Sequence, residues 1–215
     1  MQCRWWHDEK STGAMTNREQ AHELFKAKSY AEAAELFNQV VEANPSDENS
    51  WQYLVLSNRN IERYEAVINT CKDALRAHPR SAWLWRELGN VYVRVERLGE
   101  AESALGQARR LEPQSAWLWR DYGQLYRKQN NYGAEAKALE ELVELEEANS
   151  TDLNQLGIAH HDNKNYGRAL EFYRRSALVK PNTAAYFNMG LVFNDTEVSQ
   201  DADAADAYRR ALRIN

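Results

Sequence analysis

The residues with the clearest metal-ligand chemistry are His160, His161 and Asp162, three consecutive ligand types. On a helix, neighbouring side chains diverge by about 100°, so these three cannot close on one ion without ligands from elsewhere. Asp201-Ala-Asp-Ala-Ala-Asp206 has carboxylates spaced as in a calcium loop, but it lacks the glycine at the sixth position and the closing glutamate. It fits the acidic start of a helix, where carboxylates meet unpaired N–H groups. Cys3 and Cys71 are far apart in sequence, and Cys71 falls on an apolar helical face. It therefore reads as a buried thiol of a reducing, cytoplasmic compartment. There is no Gly-rich phosphate loop, no Cys-x-x-Cys and no nucleophile elbow. The sequence predicts a non-enzyme with no catalytic residue, no metal and no cofactor.

Binding chemistry is more evident. Trp83, Arg86, Asn90 and Arg94 step along one helical face, and Trp117, Arg120, Gln124 and Arg127 step along another. Indoles offer apolar contact area and arginines attract carboxylates, the residue types most enriched at interface hot spots. With Lys128 these arginines predict a positive stripe on a chain whose net charge is -5. Further on, Asn154, Asn188 and Asn194 can hold an extended backbone through both donor and acceptor. The expected ligand is an extended acidic segment with one or two apolar anchors. The bland alternative is that Trp83 and Trp117 pack on neighbouring helices and serve stability alone.

These rows need helices to present them, and the sequence repeats to supply them. Ser-Ala-Trp-Leu-Trp-Arg occurs at 81–86 and again at 115–120, an offset of 34 residues. At the same step tyrosines fall at 30, 64, 132 and 166, prolines at 45, 79, 113 and 181, and glycines at 89, 123 and 157. A fixed period of this size means stacked repeats rather than one closed core. Each repeat reads as two helices: Trp85, Leu88, Gly89 and Tyr92 share one face, and Ala101, Leu105 and Ala108 share a second. Pro79 and Pro113 end the segments, and Ser81 and Ser115 are placed to cap the following helix. Glu135 and the acids between Glu140 and Glu147 read as a wet outer face.

On Trp85, Leu88, Gly89, Tyr92, Ala101, Leu105 and Pro113, the chain resembles the tetratricopeptide repeat (TPR) family from about residue 14 to its end. The resemblance implies an all-α, right-handed α-solenoid of about six helix-turn-helix repeats, at 14–47, 48–81, 82–115, 116–149, 150–182 and 183–215. It also implies a protein-interaction scaffold whose first helices line a concave groove. There Trp83, Arg86, Asn90, Arg94, Trp117, Arg120, Gln124, Arg127, Asn154 and Asn188 would contact a partner's peptide. The family's carboxylate clamp for C-terminal tails is matched at Arg86 and Asn90. It is not matched at Asp121, Thr151 and Gln155. Departures from the pattern occur at Val55, Val67 and Cys71, at Glu135, at Glu147 in place of a proline, and in a longer link from Asn194 to Asp201.

Composition bounds the partners. With 43% hydrophobic and 27% charged residues and no long apolar run, the chain has the makings of a packed fold and no membrane span. Its negative balance argues against nucleic acid as a partner. Residues 1–13 lie outside the repeats as an N-terminal arm carrying Trp5 and Trp6, and the end of the last repeat is expected to be covered by a second copy or a further segment. Either end could join copies into a homo-oligomer. The chain could also be the regulatory arm of a larger enzyme.

Overall fold

The computed structural model describes residues 15–195 and 201–214. The N-terminal arm with Cys3, Trp5 and Trp6 lies outside the described residues. Among those described there are twelve α-helices and no strand. They come in pairs: α1 (Asn17–Lys26) with α2 (Tyr30–Ala43), α3 (Glu48–Asn60) with α4 (Tyr64–Ala77), α5 (Ala82–Arg94) with α6 (Leu98–Leu111). Then follow α7 (Ala116–Lys128) with α8 (Tyr132–Glu144), α9 (Ser150–Asp162) with α10 (Tyr166–Val179), and α11 (Thr183–Asp195) with α12 (Asp201–Leu212). The chain divides into two compact units, Met1–Pro79 and Arg80–Asn215, holding α1–α4 and α5–α12 respectively. No helix among the described residues is long and apolar enough to cross a membrane.

The turn inside each of the first five pairs is set by one residue in the left-handed region: Lys28, Glu62, Glu96, Asn130 and Lys164, with φ between 54 and 64°. These positions recur every 34 residues. Each is followed by an amide that reaches back to the helix it leaves, as Arg63 N to Asn58 O at 3.0 Å and Arg97 N to Tyr92 O at 2.8 Å. This is the Schellman closure, which satisfies carbonyls the helix end would otherwise strand. Glycine usually supplies the conformation; four of these five sites carry Lys or Glu, which tolerate it at a cost of about 1–2 kcal/mol each.

Junctions between pairs use a different device. Trp51 Nε1 donates to Pro45 O at 2.9 Å, and Trp119 Nε1 donates to Pro113 O at 3.1 Å. The indole thus ties the first helix of a pair to the proline six residues before it. Where Glu147 replaces the proline, Leu153 replaces the tryptophan. There Glu146 takes φ 58° and Glu147 N bonds Leu142 O at 2.9 Å, so a second Schellman turn does the proline's work. Asn149 then starts α9 with a capping box shared with Asp152. Ser81 caps α5 as expected, but Ser115 makes no side-chain cap bond.

Within each pair the helices approach through the small residue. A Cβ on Gly89 would lie 2.7 Å from Leu105, and one on Gly157 would lie 2.5 Å from Tyr173. Sixteen residues separate each of these partners, and the same spacing pairs Ala21 with Phe37 and Val55 with Cys71, all four buried. Volume is conserved across the pair, so Val55 is matched by a small Cys71 rather than by a ring. The core face is also wider than expected. Leu84 and Leu118 are fully buried, whereas Trp85 and Trp119, expected to line the core, are only half-buried.

Candidate functional site

In the second unit the first helices of successive pairs carry the row residues, and polar bonds tie each helix to the next. Arg86 Nε on α5 donates to Asp121 Oδ2 on α7 at 2.7 Å. Arg120 on α7 reaches α9, donating from Nε and Nη2 to Asp152 at 2.8–3.1 Å and from Nη2 to Glu147 O at 2.9 Å. Asn188 Nδ2 on α11 donates to Asn154 Oδ1 on α9 at 3.2 Å, and His161 Nε2 lies 2.8 Å from Asp195 Oδ2. At the far end of α5 and α7, Lys128 faces Glu96 at 3.5 Å.

Charge on this face is therefore largely spent inside the chain, which corrects the expectation of a free positive stripe. The Arg86 and Asp121 side chains are 14% and 8% exposed, and those of Arg120 and Asp152 are 19% and 10% exposed. Arg127 is bonded to Glu135, its Nε 2.7 Å from Oε1, and Glu135 is buried. Glu135 thus leaves the wet outer face assigned to it and instead faces inward between helices. Its second oxygen, Oε2, is buried with no hydrogen-bond partner, and burial raises its pKa against the opposing effect of Arg127. Of the four row arginines, Arg94 alone is exposed with no ion pair among the described residues.

Burial dominates the electrostatics of Asp121 as well. Its pKa is pushed up to about 6 by desolvation, although Arg86 and Asn90 both bond it and pull the other way. The Arg120 pKa is raised, first by its hydrogen bond to Asp152. Asp152 was not singled out from the sequence, and Asp121 was noted only as a mismatch to the clamp. A signal existed: both repeat copies place an acid directly after the arginine, Arg86-Glu87 and Arg120-Asp121.

Several uncharged members of the face are exposed. Trp117 is 64% exposed, with the Arg120 guanidinium 5.0 Å from its ring centre. Such a contact contributes about 0.5–1 kcal/mol at an exposed site. Trp83 is half-buried, Gln124 is exposed, and Asn90 and Asn154 are half-buried. On α11, Phe187 and Leu191 are 48% and 36% exposed and four residues apart, so they share a face. Phe187 was missed in the sequence, masked by the apolar run of α11. Asn194, expected to join this face, instead donates to the Tyr208 hydroxyl at 3.1 Å.

The metal-like residues separate as their spacing requires. His160 is buried against Phe172, ring centres 5.4 Å apart and nearly parallel, while His161 turns to Asp195. Burial lowers the His160 pKa. Among the described residues no three His, Cys, Asp or Glu side chains gather to hold a metal.

Two tetratricopeptide repeat models match the sequence, over residues 18–82 and 82–125. No curated protein matches it. Among solved structures the fold is similar to the C-terminal part of a TPR repeat-containing protein from Cytophaga hutchinsonii. There the TM-score is 0.75 and the identity 17%, over 91% of this chain and 78% of that one. It is also similar to PilF of Pseudomonas aeruginosa, with TM-score 0.72 and 15% identity over 92% and 90% of the chains. A third is YrrB, described as a TPR protein with an unusual peptide-binding site, with TM-score 0.67 and 22% identity over 84% and 98% of the chains. The paired helices, the Trp–Pro junctions and these matches agree: the chain belongs to the tetratricopeptide repeat family.

Proposed function

We propose that the first-helix face of the second unit binds an extended peptide segment of a partner protein, with the exposed aromatic and aliphatic side chains as its anchors. A fold of this family is a general protein-interaction scaffold, and the peptide-binding site named for YrrB is consistent with that use here. The observation that carries the reading is Trp117, an indole 64% exposed on a face whose arginines, Arg94 apart, are paired. Isolated exposed aromatics need no explanation, but Phe187 and Leu191 add further apolar side chains on the first helix of the last pair. Half-buried Asn154 and Asn188 and exposed Gln124 lie on the same helices and suit the amide groups of an extended backbone.

The acidic preference of the ligand narrows accordingly. It rests on Arg94, because Arg86, Arg120 and Arg127 answer carboxylates of their own chain. The test is selection from a random peptide library on the full chain, followed by titration of the enriched peptides against Trp117→Ala and Arg94→Glu. Trp117→Ala is expected to weaken binding by about 2 kcal/mol with only a small fall in thermal midpoint, from the lost Arg120 contact. Arg94→Glu is expected to lower the association rate and its salt dependence only for peptides carrying an acid. Enriched peptides that bind Trp117→Ala as tightly as the unaltered chain would refute the assignment of this face.

A further inference from the structure

Helices α10, α11 and α12 enclose a cleft of about 400 Å³ that the proposed peptide face does not use. Its floor is apolar: Ala177, Tyr186, Met189, Phe193 and Ala207. The cleft is open for a sequence reason. Tyr208 stands against Gly190 as Tyr173 stands against Gly157, and this register puts Ala207 where the preceding pair has Phe172. In that pair the Phe172 ring is buried and helps build the core shared by α8, α9 and α10. With a methyl group in its place, the rings of Tyr186 and Phe193 stay half-buried rather than covered.

The rim carries what a matching surface would need. Leu178, on the α10 wall, is 84% exposed, and the adjoining Val179 is 60% exposed. Arg174 on the same wall and Asp203 on the α12 wall are both exposed, and neither has an ion pair among the described residues. The other charges at hand are already matched, Arg210 to Asp206 at 2.8 Å.

We infer that this cleft is a contact surface for a second copy of the chain. A rim bearing one free charge of each sign is self-complementary. A twofold axis lying in the surface midway between Arg174 and Asp203 places Arg174 of each copy against Asp203 of the other. The same operation brings the Leu178 side chain of one copy toward the cleft of its mate, as an isologous interface requires. A foreign partner would be suggested by a rim of one sign, which is not what the cleft presents.

Sedimentation equilibrium of the full chain, over about a hundredfold range of concentration, tests this. The unaltered chain is expected to dimerise, and Leu178→Asp to remain monomeric. Arg174→Glu and Asp203→Arg are each expected to weaken the dimer about tenfold, and the two changes combined to restore most of the loss. All three side chains are exposed, so circular dichroism and thermal melting should show every variant folded. A monomer at all concentrations, a dimer indifferent to Leu178→Asp, or a double variant no tighter than either single one would each overturn the inference.

Discussion

Asp121 gives the sharpest test of the ties between first helices, because burial has moved its pKa far from that of a free carboxylate. The displacement runs from 3.8 to about 6. At 1.36 kcal/mol per tenfold change in proton affinity this amounts to about 3 kcal/mol. The direction matters. Asp121 holds its proton more tightly in the folded chain than in the unfolded one, so folding gains from protonation. That gain is complete below the unfolded value of 3.8 and is lost as pH rises through about 6. Above that pH the folded chain carries the charged carboxylate, compensated by Arg86 but not fully. Asp121→Asn is the perturbation, since the amide oxygen can still accept from Arg86 Nε and the site then matches the protonated carboxyl at every pH. Urea unfolding followed by circular dichroism should find the two chains equally stable near pH 4 and Asp121→Asn more stable by about 3 kcal/mol near pH 7. Asp121→Ala removes the acceptor as well as the charge and should be less stable than Asp121→Asn by about 1–3 kcal/mol at every pH. If the unaltered chain and Asp121→Asn run parallel from pH 4 to 7, desolvation does not govern this site and the reasoning fails.

Packing and turn geometry give further expectations, each read by equilibrium unfolding. Leu118→Ala should cost about 2–5 kcal/mol because the side chain is fully buried. Trp119→Ala should cost less than a fully buried ring would, about 1–3 kcal/mol, since its indole is half-exposed and chiefly holds Pro113 O. Gly157→Ala should destabilise despite the better helix propensity of alanine, because its Cβ would stand 2.5 Å from the Tyr173 ring. Gly167→Ala meets nothing within 4 Å and should be neutral or stabilising by up to about 1 kcal/mol. Glu62→Gly should stabilise by about 1 kcal/mol, since Glu62 is exposed and held at φ 57°.

The period of 34 residues made the fold readable, because a step that returns Trp, Gly, Tyr and Pro together specifies both helices and both turns. What the period could not show was direction. Trp85 and Trp119 look like core residues by type, yet both stay half-buried, and Trp119 reaches out to a junction carbonyl while the smaller Leu84 and Leu118 fill the interior. Charge was misjudged for a related reason. Arg86, Arg120 and Arg127 were read as ligands for a foreign acid because their partners lie 35, 32 and 8 residues away. A reading confined to one helix face cannot see across to a neighbouring helix. Glu135 shows the same limit: it occupies the small-residue position of its pair, and only Arg127 on the neighbouring helix makes a buried carboxylate tolerable there.

These ties also change character along the second unit, and that gradient bears on where a ligand would sit. Between α5 and α7 the link is Arg86 to Asp121, and between α7 and α9 it is Arg120 to Asp152; between α9 and α11 the row residues form an amide pair, Asn154 with Asn188. An arginine–carboxylate link fixes its neighbours through geometry and charge together, whereas an amide pair is a neutral hydrogen bond contributing about 1 kcal/mol. The α9–α11 end can therefore exchange its polar contact for one with a backbone amide at little loss, and it is there that Phe187 and Leu191 stand exposed. The α5–α7 end cannot do so without leaving Asp121 or Arg86 buried and unmatched. The face thus divides by its contacts, with bound arginines tying its first helices together and neutral, partly apolar side chains exposed on the last pairs, where the proposed peptide would displace least.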